Sequence, residues 1–165
     1  MTLNLITNRT TEDVDRIKAL KAKINARGWA SLTQAEKDTW AEGRGFYNVG
    51  DLNRVGAAVA YLADVLHTYG YGVEVSPVTS WKHGDETVAP DELRQAQAAT
   101  YLANIQALKA AYYGTTPLPS NMNNLDTTQA NRIELLLLEI EDNLRRTAAG
   151  FASCGTFYMG EACVI

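Results

Sequence analysis

The chain has few of the residues that carry metal, redox or nucleophilic chemistry, with two cysteines and two histidines among 165 residues. His67 and His83 have no carboxylate or cysteine at the usual spacing of metal ligands, and eight residues separate Cys154 from Cys163, unlike a zinc-binding pair. The sequence therefore predicts no metal site and no cofactor. The two cysteines could form a disulfide, but a pair of reduced thiols is the favoured state.

The chain also lacks an excess of positive charge and a long apolar run. Its formal net charge is -4, and acidic and basic residues are mixed along the sequence. This distribution argues against nucleic acid and against an anionic membrane surface as partners. No stretch approaches the roughly 20 apolar residues of a membrane span. The first residues, Met1 to Ile6, lack the basic start and apolar core of a secretory signal, so we expect none.

Catalytic motifs are equally scarce. Ser153-Cys154-Gly155 is similar to a nucleophile turn, but no histidine oriented by a carboxylate accompanies it. The glycine pair Gly43 and Gly45 precedes no phosphate-binding lysine. We therefore expect a protein that is not an enzyme. An enzyme would need a pocket converging on Trp81 and His83.

Helical periodicity and helix caps are what the sequence does contain. Capping boxes at Thr10 and Thr33, the polar start at Asn48, the proline at Pro90 and the cap at Asp126 each predict the beginning of a helix. The predicted fold is mainly α, a compact bundle of about five helices. It forms a single domain, 1–165, with an N-terminal extended segment at 1–9, a helical core at 10–150 and a non-helical C-terminal segment at 151–165.

Residues 71–84 interrupt the helical pattern. Val73 and Val75 alternate with small or polar residues, which predicts a short extended segment or half of a hairpin. Trp81 is expected to plug the core, and a core role is favoured for the tryptophans in general over a ligand cage. Tyr69 and Tyr71, beside a glycine break, are the tyrosines expected to be partly exposed.

The fifth helix is expected to be amphipathic. Its apolar positions predict one buried stripe, formed by Ile133, Leu136, Leu137, Ile140 and Leu144. The opposite face is expected to be a solvated one without further role, and it comprises Glu134, Glu141, Asp142 and Arg145.

The two ends of the chain are the candidate partner-binding segments. The C-terminal segment has aromatic residues, glycines and almost no charge, so it is too apolar for a free tail and too glycine-rich for a helix. It could fold back as a strand or hairpin, or it could dock on a neighbouring chain by strand addition or by placing aromatic residues in a groove. The residues expected to bind a partner are Phe151, Phe157, Tyr158, Met159, Leu3 and Leu5.

A series of short motifs carries a resemblance to a known group of proteins. The motifs are Asn4-Leu-Ile-Thr-Asn-Arg-Thr10 with Asp13-Val14, Gly28-Trp29, Tyr47-Asn48, Asp51-Leu-Asn-Arg-Val55, Tyr61-Leu62, Gly70-Tyr71, Trp81, Tyr101-Leu-Ala-Asn104, Leu118-Pro119, Ala130-Asn131, Ile133-Glu134 and Gly160-Glu161. In this order they resemble small helical proteins and domains of phages and prophages of Firmicutes, found among tail and baseplate genes. Members often end in an aromatic-Ser-Gly-x-x-Tyr-x-Gly-Glu pattern, in which Cys154 is an insertion here.

The resemblance implies a structural component of a virion or phage-tail-like particle, made in the bacterial host cytoplasm. It implies other tail or baseplate chains as partners and a homo-oligomer of closed symmetry. The group has no assigned catalytic residues to carry over. Under this hypothesis, Thr2 to Asn8 and Phe151 to Ile165 are expected to be ordered only against another chain. The alternative is a soluble phage-encoded protein that binds and modulates a host protein.

Overall fold

A computed structural model describes residues 3–82 and 95–153, which form five α-helices. Their bounds are α1 Thr11–Arg27, α2 Gln34–Glu42, α3 Val49–Thr68, α4 Gln95–Ala111 and α5 Thr127–Ser153, with a short 3₁₀ turn at Trp29–Ser31. No strand occurs in these two described ranges. The predicted mainly α bundle of about five helices is confirmed. No helix in the described part of the chain is long and apolar enough to cross a membrane.

The helices begin where their caps predict. Thr10, Thr33 and Asn48 each accept a hydrogen bond from the backbone three residues later, and an acidic side chain returns the bond in all three cases. Asp126 and Gln129 exchange the equivalent pair of hydrogen bonds at the start of α5. The cap chemistry therefore fixes the start of four helices, and the predicted start of α4 at Pro90 lies outside the described residues.

Helices α3, α4 and α5 build the main core and run in the same direction. Arg54, near the start of α3, bonds Glu134 near the start of α5. At the opposite end, Tyr71 and Tyr112 follow α3 and α4 and pack edge to face with ring centroids 5.1 Å apart. The Tyr112 hydroxyl shares a hydrogen bond of 2.7 Å with Thr147 of α5. The buried stripe predicted for α5 is confirmed, because Ile133, Leu136, Leu137 and Ile140 are inaccessible to solvent and Leu144 is buried. Equally inaccessible residues of α3 and α4 face it, and they are Val55, Leu62, Leu66, Ile105 and Leu108.

Because the three core helices are parallel, the chain must return along the bundle between them. The first return segment, residues 71–82, is extended and buries Val73 and Trp81. Asn53 of α3 bonds both the N–H and the carbonyl of Trp81, and Val78 passes so close to Gly56 that a Cβ there would lie 2.3 Å from the Val78 carbonyl oxygen. The prediction of an extended segment with Trp81 as a plug is confirmed. Residues 71–82 pair with no strand, and positions 83 and 84 of the predicted segment lie outside the described residues.

The second return segment, residues 112–126, is held by a carboxylate on α5. Glu139 accepts hydrogen bonds from the backbone N–H groups of Thr115 at 2.8 Å and Thr116 at 3.0 Å. Partial burial opposes ionisation, but the Thr115 hydroxyl, which donates to the same carboxylate at 2.6 Å, and these two N–H groups outweigh it and lower the pKa of Glu139 to about 2. The Lys109 ammonium donates to the Thr116 carbonyl at 2.7 Å and fixes the same turn from α4.

Helices α1 and α2 form a smaller unit beside the core. Ile17, Leu20 and Leu32 are its buried residues, and Ile24 and Trp40 pack against them. The expectation that the tryptophans serve the core holds for Trp81 and Trp40. It is wrong for Trp29, which is 47% exposed, because the 3₁₀ turn places its ring on the rim, edge-on to Trp40.

The C-terminal boundary of the helical core differs from the prediction. Helix α5 continues through Phe151 to Ser153 instead of ending at residue 150, so Gly150 lies inside the helix. One glycine in a long helix costs about 1 kcal/mol, which the apolar stripe of α5 outweighs. Residues 154–165 lie outside the described residues.

Candidate functional site

Four charged side chains form a buried cluster where the N-terminal segment meets the starts of α3 and α5. Arg9 Nη2 donates to Asp51 Oδ1 at 2.8 Å and to Glu134 Oε1 at 2.5 Å. Arg54 donates to Glu134 at 2.9 and 3.0 Å, and it also bonds Asp51. The side chains of Arg9, Asp51 and Glu134 are 2%, 4% and 0% exposed. The Arg54 side chain is 25% exposed, so the cluster meets solvent at this residue. Its two positive and two negative charges balance.

The solvated face predicted for α5 is wrong for Glu134 and Glu141. The N-terminal segment lies over this face, where the Ile6 N–H donates to Glu134 at 2.6 Å and the Leu3 N–H to Glu141 at 3.2 Å. Both carboxylates are consequently buried. Arg145 is exposed as predicted, and Asp142 remains largely accessible.

The N-terminal segment lies against its own chain. Leu3 and Leu5 are half-buried and pack on the main core. Asn131 of α5 accepts from the Arg9 N–H at 3.0 Å and donates to the Arg9 carbonyl at 2.9 Å, as a paired strand would. The expectation that residues 2–8 order only against another chain is wrong for residues 3–8. The carboxylates of Glu134 and Glu141 on α5 accept hydrogen bonds from the backbone of this segment.

Two tyrosines close the cluster from the side of α4. The hydroxyl groups of Tyr47 and Tyr101 share a hydrogen bond of 2.6 Å. Burial raises the pKa of both hydroxyls, and the nearby Glu134 and Asp51 carboxylates raise them further. For Arg54, burial opposes the charged form, but Glu134 and Asp51 raise its pKa above the ordinary value. The raised pKa values keep both tyrosine hydroxyls protonated and Arg54 charged near neutral pH.

A second distinctive feature lies at the opposite end of the bundle, where α3 and α4 end. We call it the tyrosine surface, and it consists of Tyr69, Tyr71, Tyr112 and Tyr113. Tyr69, Tyr71 and Tyr113 are 45%, 38% and 77% exposed, which confirms the predicted exposure of the first two. Tyr112 lies beneath them, edge-on to both Tyr71 and Tyr113. Hollows of about 230 and 80 Å³ run from Tyr69 along Leu144 of α5.

The structure brings few of the predicted partner-binding residues together. Leu3 and Leu5 lie on the core, over α5. Phe151 belongs to the last turn of α5, and its side chain is outside the description. Phe157, Tyr158, Met159, His83 and both cysteines also lie outside the described residues.

His67 has a structural contact, because its Nε2 lies 2.7 Å from the Val73 carbonyl oxygen and ties the end of α3 to the first return segment. Within residues 3–82 and 95–153, no three His, Cys, Asp or Glu side chains gather as a metal site would require. The ion cluster was not predicted from the sequence. Its four residues nevertheless all belong to motifs that carry the resemblance, and they are Arg9, Asp51, Arg54 and Glu134.

Comparisons with known proteins place the chain in no family. No protein-family model, no curated protein and no solved structure matches it.

Proposed function

We propose that the protein is a non-enzymatic assembly component of a phage tail, baseplate or phage-tail-like particle. The proposal joins the sequence resemblance to one observation, the tyrosine surface. Tyrosine is enriched at protein interfaces because it combines a large apolar ring with a polar tip. Tyr71 and Tyr113, which pack on the buried Tyr112, and the partly exposed Tyr69 beside the same hollow offer a contact area to another protein chain.

Two rings of the tyrosine surface pack on the buried Tyr112. Tyr112 is fixed by its hydrogen bond to Thr147, and the rings of Tyr71 and Tyr113 pack on it at 5.1 and 5.3 Å. Side chains that are already held in place lose little conformational entropy on binding. The surface therefore suits a permanent contact in an assembled particle.

The tyrosine surface also lies near the end of α5. Ser153, at the end of α5, is six residues beyond Thr147, which corresponds to about 9 Å along a helix. The segment that follows contains Phe157, Tyr158 and Met159. We propose that the tyrosine surface and this segment together form the contact with neighbouring chains of the particle, including other copies of this one.

The test is quantitative mass spectrometry of particles purified from the producing strain. A fixed small-integer ratio to the baseplate proteins is the expected result. Absence from particles, with abundance in the lysate, would refute the assembly role and favour the alternative of a protein that modulates a host protein.

Two variants locate the contact. Tyr113→Ala removes the most exposed ring of the tyrosine surface, and we expect unchanged thermal stability with reduced incorporation into particles. Leu135→Ala is the matched control, because Leu135 is 45% exposed on α5 and lies outside the tyrosine surface. A chain truncated after Ser153 keeps every described helix and should also fail to incorporate. Normal incorporation of both the tyrosine variant and the truncated chain would refute the proposed contact.

A further inference from the structure

Helix α5 extends beyond the end of the bundle on which the tyrosine surface lies. Thr147 of α5 shares a hydrogen bond of 2.7 Å with Tyr112, the first residue after α4. Helix α5 continues from there to Ser153. These six further residues correspond to about 9 Å of helix. We call residues 147–153 the overhang, because they project past the tyrosine surface.

The overhang lacks the charged residues that the preceding part of α5 contains. Residues 139–146 carry five charged side chains, which are Glu139, Glu141, Asp142, Arg145 and Arg146. The overhang, Thr147-Ala-Ala-Gly-Phe-Ala-Ser153, carries none. A helix with one face towards solvent normally has charged or polar residues on that face. The composition of the overhang is therefore that of a helix end that is covered by protein.

A hollow lies at the foot of the overhang, between the end of α3 and α5. Its larger part, of about 230 Å³, is lined by Tyr69 after α3 and by Leu144 and Ala148 of α5. Its smaller part, of about 80 Å³, extends from Tyr69 and Leu144 to Tyr71. The rings of Tyr69 and Tyr71 are partly exposed. A side chain that entered the hollow from the overhang would cover part of both rings.

The part of the chain that follows the overhang has the length and composition to reach this hollow. An extended chain advances about 3.3–3.6 Å per residue, so residues 154–156 can span about 10 Å. Because the overhang has the same length, Phe157 is the first residue that a returning chain brings to the level of Thr147. Gly155 gives the chain the conformational freedom to reverse after the helix. Residues 154–160 carry no charge, like the overhang itself.

We propose that residues 154–160 return along α5 of the same chain and place Phe157 in the hollow between Tyr69 and Leu144. A tethered segment has an effective concentration of millimolar order, which favours the same chain over a second copy in dilute solution. The docked segment completes the contact area of the tyrosine surface and leaves Tyr113 outside the covered part.

This inference rests on the proposed function where it treats the tyrosine surface as a contact area. The docking itself belongs to the free protein and is measured on the isolated chain. An isolated chain without the docked segment would refute the inference while the role in the particle stands. Absence of the protein from particles would refute that role while the docked segment stands.

The test is a nuclear Overhauser measurement by NMR on the full chain in dilute solution. We expect contacts between the ring protons of Phe157 and the methyl groups of Leu144. An isotope-filtered measurement on a mixture of labelled and unlabelled chains should show none of these contacts between different molecules. Contacts between different molecules alone would make a second copy the occupant and overturn the proposal. Contacts of Met1 with Leu144, in place of those of Phe157, would overturn it as well.

Three variants give an independent measurement through the amide signals of Tyr69 and Tyr71. Removal of residues 154–165 should shift these signals, because the hollow loses its occupant. Phe157→Ala should move them most of the way to the same positions, since burial of one phenylalanine ring favours docking by about tenfold or more. Phe46→Ala is the matched control, because it removes an equal ring that is partly exposed outside the tyrosine surface.

The proposal is overturned if the full chain shows no contact of Phe157 with Leu144. It is also overturned if removal of residues 154–165 leaves the signals of Tyr69 and Tyr71 unchanged, or if Phe157→Ala and Phe46→Ala alter them equally.

Discussion

Replacing Glu134 with glutamine should destabilise the protein severely. The carboxylate is fully buried and accepts hydrogen bonds from the Ile6 N–H, Arg9 and Arg54. Glutamine has the same shape but no charge, so two arginines would remain in the cluster with Asp51 as their one carboxylate. An uncompensated buried charge is among the most costly defects in a folded protein.

The expected loss in the free energy of unfolding is about 3–5 kcal/mol, the range for breaking a buried ion pair. A domain is typically stable by about 5–15 kcal/mol, so the variant should approach the limit of folding. Urea denaturation followed by circular dichroism measures the loss. Asp142→Asn is the matched control on the same helix. Asp142 pairs with Arg146 on the surface at 2.7 Å, and such pairs contribute about 0.3–0.5 kcal/mol.

Two further measurements separate a charge effect from a general packing defect. Amide hydrogen exchange at Ile6 should accelerate in Glu134→Gln, because the Ile6 N–H loses its charged acceptor. The N-terminal segment is then held less firmly against α5. The double variant with Arg54→Gln restores charge balance and should lose less stability than the two single changes added together. A loss no larger than that of Asp142→Asn, or simple additivity in the double variant, would refute this account of the cluster.

The remaining predictions concern the contacts of the two return segments, with Gly150 of α5 as a control. Gly56→Ala should lower the free energy of unfolding by about 1–3 kcal/mol, because the new Cβ would overlap the Val78 carbonyl. Gly150→Ala should raise the free energy of unfolding by about 0.5–1 kcal/mol, because open space surrounds Gly150 in its helix. Chemical denaturation of both variants measures this, and changes of the same sign would contradict it. Glu139→Gln should destabilise the turn at Thr115 by about 1 kcal/mol at neutral pH. Since the folded pKa of Glu139, about 2, lies below its ordinary value of 4.5, this difference from the parent protein is complete above pH 4.5 and disappears towards pH 2. Acid titrations of both proteins check it, and a constant difference would contradict it.

The helices were predictable because local rules determine them. The caps at Thr10, Thr33 and Asn48 and the apolar spacing of the stripes act within a few residues, so they can be read without knowing the fold. The plug at Trp81 followed from a lone large apolar residue in a segment without helical pattern. These predictions needed no knowledge of which helices touch.

The ion cluster was not predictable by the same means. Glu134 lies on the polar side of an amphipathic helix, where helical periodicity indicates solvent. It is buried because residues 3–9, more than a hundred positions away in sequence, cover that side. Asp51 shows the same limit, since its role in the cap of α3 was visible and its second contact, with Arg9, was not. A buried ion pair depends on long-range contacts that no local pattern encodes.

The parallel arrangement of the core helices explains why polar residues recur in the motifs of the resemblance. Within residues 3–82 and 95–153, the first return segment and the N-terminal segment have no neighbouring strand, so side chains must satisfy their backbone groups. Asn53 bonds Trp81, Asn104 bonds the Ser76 N–H, and Glu134 bonds the Ile6 N–H. Each of these side chains therefore holds a segment of chain in place, and its spacing follows from the path of that segment. Such motifs specify a fold and identify no reaction, so the partners of this protein are better sought at the tyrosine surface.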